Sequence, residues 1–132
     1  MSEHASVGLS IGNMAIWVRD LPRSVDFYTN GLGLDLIATV DADDVQEVIV
    51  GRNGLGGQLM LAGRDGEPSS APAGIWKVFL TSQDAAGDYA RALAAGAVPV
   101  TEPYEIAKFG VTIALVQDPD GYLLEIGQIH PR

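Results

Sequence analysis

One carboxylate, Glu125, interrupts a largely apolar segment that runs from Tyr122 to Ile129. The segment follows Asp118-Pro119-Asp120-Gly121, in which Asp, Pro and Gly stand where a type I turn selects them. With the β-branched run 111–116 on its other side, the turn predicts a hairpin whose second strand carries Glu125. A carboxylate among apolar neighbours is costly unless something pairs with it. Glu125 therefore either lies near a solvated rim of the sheet or forms the polar floor of a cavity.

An internal repeat sets other polar side chains beside Glu125. Three positions recur with a constant offset of 64 residues: Asn13 with Lys77, Asp20 with Asp84, and Ser24 with Asp88. With an offset of 65, Met60 falls against Glu125. Two copies of one supersecondary unit would bury their open faces against each other, and the cleft between their sheets is the natural pocket.

Alternation along the first strand of each half assigns the residues that would line this cleft. They are Asn13, Ala15, Trp17 and Arg19 in the first half, and Lys77, Phe79 and Thr81 in the second. An aromatic residue at strand spacing is more often plain core than a ligand platform. Lys77 and Glu125 on the same walls nevertheless favour a ligand site. Trp17 and Phe79 would then supply its π surfaces.

The elements that must position these residues form two βαβββ units. Strands are predicted over 13–19, 34–40, 45–51, 57–62, 76–82, 98–100, 111–116 and 122–129. Asp20 and Asp84 are placed to cap one helix in each half. Gly31 and Gly33 are expected to end the first helix, and Gly96 the second. A long loop is predicted over 101–110.

The fold class is therefore predicted as α+β, with one domain over 1–132. Its two βαβββ modules, residues 12–63 and 75–129, form a cleft between curved mixed sheets. The stretch 64–74 is rich in Gly, Pro, Ser and charge, which is typical of a linker.

Composition restricts the classes of function. The chain has 132 residues, no cysteine and a formal charge of −9, without a Lys/Arg cluster. Disulfides, thiolate zinc sites and cysteine nucleophiles are excluded, and binding to nucleic acid or anionic membranes is disfavoured. Residues 1–12 have neither a basic start nor a long apolar run, so no signal peptide or membrane span is expected, and the protein is predicted to be cytoplasmic.

Several short motifs carry a family resemblance over nearly the whole chain, from Asn13 to Gln128. They are Val18-Arg19-Asp20-Leu21 with Ser24 and Phe27-Tyr28, Leu32-Gly33, Ala94-Ala95-Gly96-Ala97, and Asp118-Pro119-Asp120-Gly121-Tyr122 ahead of Glu125. Together they resemble the vicinal oxygen chelate superfamily, which contains glyoxalase I, bleomycin-resistance proteins, fosfomycin-resistance enzymes and extradiol dioxygenases. The resemblance implies the tandem βαβββ fold, and commonly a homodimer in which halves of two chains complete the cleft.

The resemblance also implies where a metal would bind. Glyoxalase-like members hold a divalent metal with one His on the first strand and one Glu on the last strand of each half. The matching positions here hold Asn13, Met60, Lys77 and Glu125. A charged ammonium has no lone pair and repels a divalent cation, so no metal and no other cofactor is predicted. Gln58, on the face of Met60, leaves a weak oxygen site open, whereas His4 and His130 match no ligand position.

Three functions are compatible with this pattern. The first is a metal-independent protein that binds or sequesters a planar, neutral or cationic compound such as an antibiotic, between Trp17, Phe79 and Phe109. The second is a lyase or isomerase in which Lys77 and Glu125 perform the acid–base chemistry. The third is a structural module whose own side chains fill the cleft.

The two tryptophans provide a check on the assignment of faces. Trp17 is expected in the cleft as the main stacking surface. Trp76, in phase with Val78, is expected on the opposite, helix-covered face, where its replacement would cost stability.

Overall fold

The computed structural model describes residues 13–64 and 75–131, which form two four-stranded sheets with one helix each. The first sheet has the order β1-β4-β3-β2. Its strands are β1 (Met14–Trp17), β2 (Asp35–Ala42), β3 (Val45–Arg52) and β4 (Leu55–Arg64). Strand β1 pairs in parallel with β4, and the other neighbours are antiparallel.

The second sheet repeats this plan with the order β5-β8-β7-β6. Its strands are β5 (Val78–Thr81), β6 (Val98–Ile106), β7 (Val111–Gln117) and β8 (Leu123–Ile129). Strand β5 pairs in parallel with β8, and the hairpin of β7 and β8 forms as predicted. The α+β class and the tandem βαβββ architecture are thus confirmed.

Each half carries its helix after the first strand, and the two helices begin in the same way. In α1 (Leu21–Asp26) the Asp20 side chain accepts a hydrogen bond from the Arg23 N–H at 3.1 Å. In α2 (Ala85–Ala94) the Asp84 side chain accepts from the Gly87 N–H at 3.0 Å. A carboxylate that satisfies a free N–H of the first turn is a strong helix start, so both capping predictions are confirmed.

The first helix continues as a π-helical turn, Phe27–Gly31. Both of its aromatic residues, Phe27 and Tyr28, are buried, with their rings edge to face at 5.1 Å. Close packing requires glycine at position 31, because a Cβ there would lie 2.7 Å from the Cβ of Ala95 at the end of α2. These two residues are also 64 positions apart. The helices of the two halves therefore meet at equivalent positions of the repeat.

The core lies between the helices and one face of each sheet. It includes Ile16, Val18, Leu59 and Leu61 from the first half, and Ala114, Val116, Leu124 and Ile126 from the second. The cluster is continuous across both halves. The other face of each sheet points away from it, which fixes the two open faces.

The Asp118–Tyr122 turn ties the second half to the first. The Tyr28 hydroxyl donates to Asp118 Oδ2 at 2.6 Å, and the Arg19 N–H donates to Asp120 Oδ1 at 2.9 Å. The Tyr122 hydroxyl donates to the carbonyl of Trp17 at 2.8 Å. The carboxylates of Asp118 and Asp120 are buried, so these hydrogen bonds replace those to water that burial removed.

This burial perturbs the titration of the groups at the turn. Burial raises the pKa of the Tyr28 phenol well above its ordinary value, and the neighbouring Asp118 charge raises it further. Burial also raises the pKa of Asp118, although the carboxylate accepts from Tyr28 and from the N–H groups of Asp120 and Tyr122. Desolvation therefore outweighs hydrogen bonding at this carboxyl.

One prediction about the strands is wrong. Residues 101–106, predicted as loop, continue strand β6, which pairs with β7 across two register shifts. Strand β6 contains Pro99 and Pro103, which it tolerates because it is an edge strand, where a missing N–H costs little. A short 3₁₀ turn, Ala107–Phe109, follows.

The remaining structural expectations concern the linker and the membrane. Of the predicted linker 64–74, Arg64 ends β4, and residues 65–74 lie outside the described residues. Within the described ranges, no helix is long and apolar enough to cross a membrane.

Candidate functional site

The open face of the second sheet contains the Glu125 carboxylate. Cross-strand pairing places Phe79 beside Glu125, Glu125 beside Leu115, and Leu115 beside Thr101. Directly paired residues share a face, so these four side chains form one row. Neighbouring rows on the same face contain Leu123 with Gln117, and Gly127 with Ile113. Glu125 is therefore surrounded by apolar and neutral residues, as its sequence context predicted.

Lys77 neutralises this carboxylate. Its ammonium forms an ion pair with Glu125 Oε1, and the two side chains are 25% and 11% exposed. Burying a charge is costly unless an opposite charge accompanies it, and each partner supplies this for the other. The sequence prediction that Lys77 and Glu125 share a wall is consistent with this contact.

Phe79 forms a flat aromatic surface next to the ion pair. A Cβ placed on Gly127 would lie only 2.5 Å from Cζ of Phe79, so the ring lies directly over the glycine. The Phe79 residue is 54% exposed. Because Gly127 has no side chain, it leaves room for the tip of the ring, and Phe79 remains more than half exposed.

Trp76 does not lie where the sequence predicted. It is 76% exposed, not packed in the core, because β5 begins only at Val78 and strand alternation does not extend back to residue 76. Its ring lies over the Lys77 ammonium, with Nζ 3.9 Å from the centroid. Such a contact is a cation–π interaction. Trp76 is a site neighbour that alternation assigned to the wrong face.

The open face of the first sheet carries Trp17 and Met60. Pairing places Ala15 beside Met60, and Trp17 beside Ala62 in the next row. Trp17 is 37% exposed, so its predicted place on the open face agrees with the structure. The guanidinium of Arg64 lies 4.9 Å from the Trp17 ring centroid, which means that one side of the indole already holds a cation. Arg64 shares the alternation phase of Met60 but was not among the predicted site residues.

The other predicted site residues are more scattered. Asn13 is exposed just before β1, and Gln58 lies on the same face as Met60, paired with Gly51. Phe109 is 60% exposed in the 3₁₀ turn beyond the end of the second sheet. In the part of the chain that the structure describes, Lys77 contacts both Glu125 and Trp76.

The side chains at the inherited metal positions do not make a donor set for a divalent cation. Glu125 is engaged by an ammonium, Met60 offers a soft thioether, and Asn13 a neutral amide. Among residues 13–64 and 75–131, no group of three His, Cys, Asp or Glu side chains could hold a metal ion. The residues present therefore do not fit the metal of the glyoxalase-like relatives.

Comparison with known proteins agrees with this architecture. Residues 10–126 match the model of the Glyoxalase/Bleomycin resistance protein/Dioxygenase superfamily. An uncharacterized protein of Shewanella frigidimarina is 31% identical over 131 residues, which cover 93% of this chain and 96% of the relative.

Solved structures share the fold. TioX from Micromonospora sp. ML1 is 26% identical, with a TM-score of 0.68 over 90% of this chain and 98% of that chain. TnmS3, an antibiotic binding protein from Streptomyces sp. CB03234, is 22% identical, with a TM-score of 0.72 over 92% and 98%.

Glyoxalase I from Zea mays is 22% identical, with a TM-score of 0.77 over 90% of this chain but 44% of that enzyme, so this chain spans under half of its length. Sequence and structure lead to one assignment: the chain belongs to the glyoxalase/bleomycin resistance protein/dioxygenase superfamily.

Proposed function

We propose that this protein binds a planar small molecule without a metal and sequesters it, as a protein that captures an antibiotic would. The observation that carries the proposal is the ion pair of Lys77 with Glu125 among apolar and neutral residues of the open face. In a glyoxalase-like enzyme the metal would need direct access to this carboxylate. Here the Lys77 ammonium blocks that access. Because that carboxylate is already paired, the open face can bind a ligand through its shape, its aromatic surface and its hydrogen bonds.

The exposed aromatic residues support a planar ligand. Phe79 presents an open ring, and Trp17 is partly exposed on the other open face. Flat aromatic surfaces favour flat ligands through dispersion and offset stacking. Because Arg64 and Lys77 already lie over the two indole rings, a neutral planar compound fits these surfaces better than a cation.

The family gives this proposal a precedent. TnmS3, which has the same fold and nearly the same length as this chain, is an antibiotic binding protein. At 22% identity the likeness concerns the fold, so the ligand class is carried over here only as a proposal.

A homodimer is part of the proposal. Both open sheet faces expose large apolar side chains, including Phe79, Val98, Val100, Tyr104 and Ile129 on or beside the second face. Pairing the first face of one chain with the second face of another would cover them and close the cleft. Light scattering at micromolar concentration is expected to give twice the chain mass of 13.9 kDa. A monomer mass would contradict this part of the proposal.

Titration of a single-tryptophan variant tests the binding function. In Trp76→Phe, Trp17 is the remaining tryptophan, and neutral phenothiazine is expected to quench its fluorescence saturably. Promazine, a phenothiazine with a cationic tail, should bind more weakly. Dialysis against EDTA should leave both titrations unchanged, and elemental analysis should find no stoichiometric zinc, nickel, manganese or iron. Loss of binding in EDTA that zinc restores would overturn the metal-free function, with Gln58 as the first residue to examine.

The contact between Lys77 and Glu125 also favours a second candidate, a lyase or isomerase. A cation and a carboxylate side by side can pass a proton between substrate atoms. Turnover of a 2-hydroxy ketone or a hemithioacetal by EDTA-treated protein, abolished by Lys77→Met, would establish catalysis. Binding of phenothiazine without turnover of such substrates would leave the binding function.

A further inference from the structure

The Lys77–Glu125 ion pair has unused hydrogen-bonding capacity. An ammonium has three donors and a carboxylate has two acceptor oxygens. Within the described residues, Lys77 donates to Glu125 Oε1, and Glu125 Oε2 accepts no hydrogen bond. Because the Glu125 side chain is only 11% exposed, its carboxylate as a whole has little access to water. A nearly buried acceptor without a partner is costly, and a ligand donor would remove that cost.

The donor and the acceptor lie side by side. The ammonium lies against one carboxylate oxygen, so the free donors of Lys77 and the free Oε2 of Glu125 are separated by about the width of a carboxylate. Phe79 is the cross-strand partner of Glu125, and the tip of its exposed ring lies against Gly127. A planar ligand stacked on Phe79 would direct one edge toward both polar groups.

The charges of Lys77 and Glu125 determine which chemical groups the edge of a bound ligand can carry. Lys77 and Glu125 together have no net charge. A cationic ligand would therefore be repelled by Lys77, and an anionic ligand by Glu125, at short range. Trp76 covers the ammonium from another side. A neutral edge that offers an acceptor to Lys77 and a donor to Glu125 satisfies both groups without repulsion.

We infer that Lys77 and Glu125 read a neutral edge with an N–H beside a C=O, as in a lactam or a cis amide, on a ring that stacks on Phe79. The ligand carbonyl accepts from the Lys77 ammonium, and the ligand N–H donates to Glu125 Oε2. This inference rests on the proposed binding function and adds the chemical class of the ligand. Phe79 is its aromatic support, and the ion pair determines its specificity.

Four bicyclic probes of similar size test this assignment by calorimetric titration. They are isoquinolin-1(2H)-one, which carries the lactam edge; its N-methyl derivative, which lacks the donor; 2-naphthoate, an anion; and N-methylisoquinolinium, a cation. The lactam is expected to bind about tenfold more tightly than its N-methyl derivative, because the unmade bond leaves a buried acceptor without a partner. Both ions should bind more weakly than the lactam.

The double variant Lys77→Met with Glu125→Leu removes the ammonium and the carboxylate and keeps side chains of similar volume. Replacing a buried ion pair by apolar residues is often neutral or stabilising, so this double variant should fold. It should bind the lactam and its N-methyl derivative equally well, since Phe79 is unchanged. Phe79→Ala should weaken all four probes together.

The outcomes separate the inference from the function beneath it. Equal binding of the lactam and its N-methyl derivative to the natural protein would overturn the inference alone. Preference for 2-naphthoate or N-methylisoquinolinium would overturn it as well, because the pair would then read charge. Failure of all four probes and of phenothiazine to bind would overturn the proposed function and this inference together.

Discussion

The two halves of the molecule share one backbone plan but carry different chemistry on their open faces. Positions that shape the backbone agree: Asp20 and Asp84 cap the helices, and Gly31 meets its counterpart Ala95. Positions on the open faces differ in size or charge: Ala15 against Phe79, Trp17 against Thr81, Asn13 against Lys77, and Met60 against Glu125. A repeated fold therefore needs its caps and close contacts in both copies, while its open faces are free to specialise.

The two equivalent turns differ in the same way. Asn53 and Gly54 form an exposed turn in the first half, and the corresponding Asp118 and Pro119 begin the turn that ties the halves together. The difference lies in burial: a carboxylate removed from water requires several hydrogen-bond donors, and the first half supplies some of them through the Arg19 N–H and the Tyr28 hydroxyl. Four comparisons between equivalent or paired positions follow from this contrast, in order of expected effect.

Asp118→Ala should have the largest effect on stability. It removes the acceptor of the buried Tyr28 hydroxyl and of two backbone N–H groups, so we expect a loss of about 3 kcal/mol in the free energy of unfolding. Asn53→Ala, at the equivalent exposed turn, should cost under about 0.5 kcal/mol. Urea denaturation of both variants measures the difference, and similar losses would show that the turns are equivalent after all.

Trp17→Ala should weaken ligand binding more than the equivalent change, Thr81→Ala. We expect a loss of about 1–3 kcal/mol for phenothiazine with Trp17→Ala, as for an interfacial aromatic anchor, and under about 0.5 kcal/mol with Thr81→Ala. The fold should persist, because Tyr122 bonds to the backbone carbonyl of residue 17 and not to its side chain. Calorimetry gives the affinities and circular dichroism the fold. A larger loss with Thr81→Ala would reverse the assignment of the stacking surface.

Tyr28 is titratable, whereas its equivalent in the second half, Ala92, is not, so this position of the repeat makes stability sensitive to alkali through the first half. Burial raises the folded-state pKa of Tyr28 above the ordinary value of 10.0. The stability that depends on its protonated phenol is therefore complete below about pH 10 and is lost as pH rises through the folded pKa.

The change with pH provides the measurement for this tyrosine. The free energy of unfolding should fall above pH 10 by up to about 1.4 kcal/mol per pH unit for one proton. In Tyr28→Phe the fall should be smaller, with a residual part from Tyr122, whose pKa is also raised by burial. Chemical denaturation between pH 9 and 11 tests this, and identical slopes in the two proteins would contradict it.

Trp76→Ala should have the smallest effect on stability. The side chain is exposed and its described contact is with the Lys77 ammonium, so we expect a loss of at most about 1 kcal/mol. This reverses the expectation from alternation, which placed Trp76 in the core. A thermal melt provides the measurement, and a loss of several kcal/mol would return Trp76 to the core.

The sequence by itself determined the fold and the identity of most open-face residues. The turn at 118–121, the helix caps and the two-residue period of the strands are local properties, and local properties can be read from neighbouring residues. Alternation correctly separated Glu125 from Leu124 and Ile126, which are buried in the core. The offset of 64 residues, together with the superfamily motifs, extended this local reading to the whole architecture.

Only the tertiary structure decided which distant groups meet and where each strand ends. Strand β6 extends through 101–106 because β7 pairs with it, and no local signal reveals a partner strand. Trp76 is exposed because pairing with β8 begins only at Val78. The bonds from Tyr28 to Asp118 and from Arg19 to Asp120 join residues 90 and 101 positions apart. Side-chain pairing across such separations depends on how the sheets and helices pack, and a one-dimensional pattern contains no information on that packing.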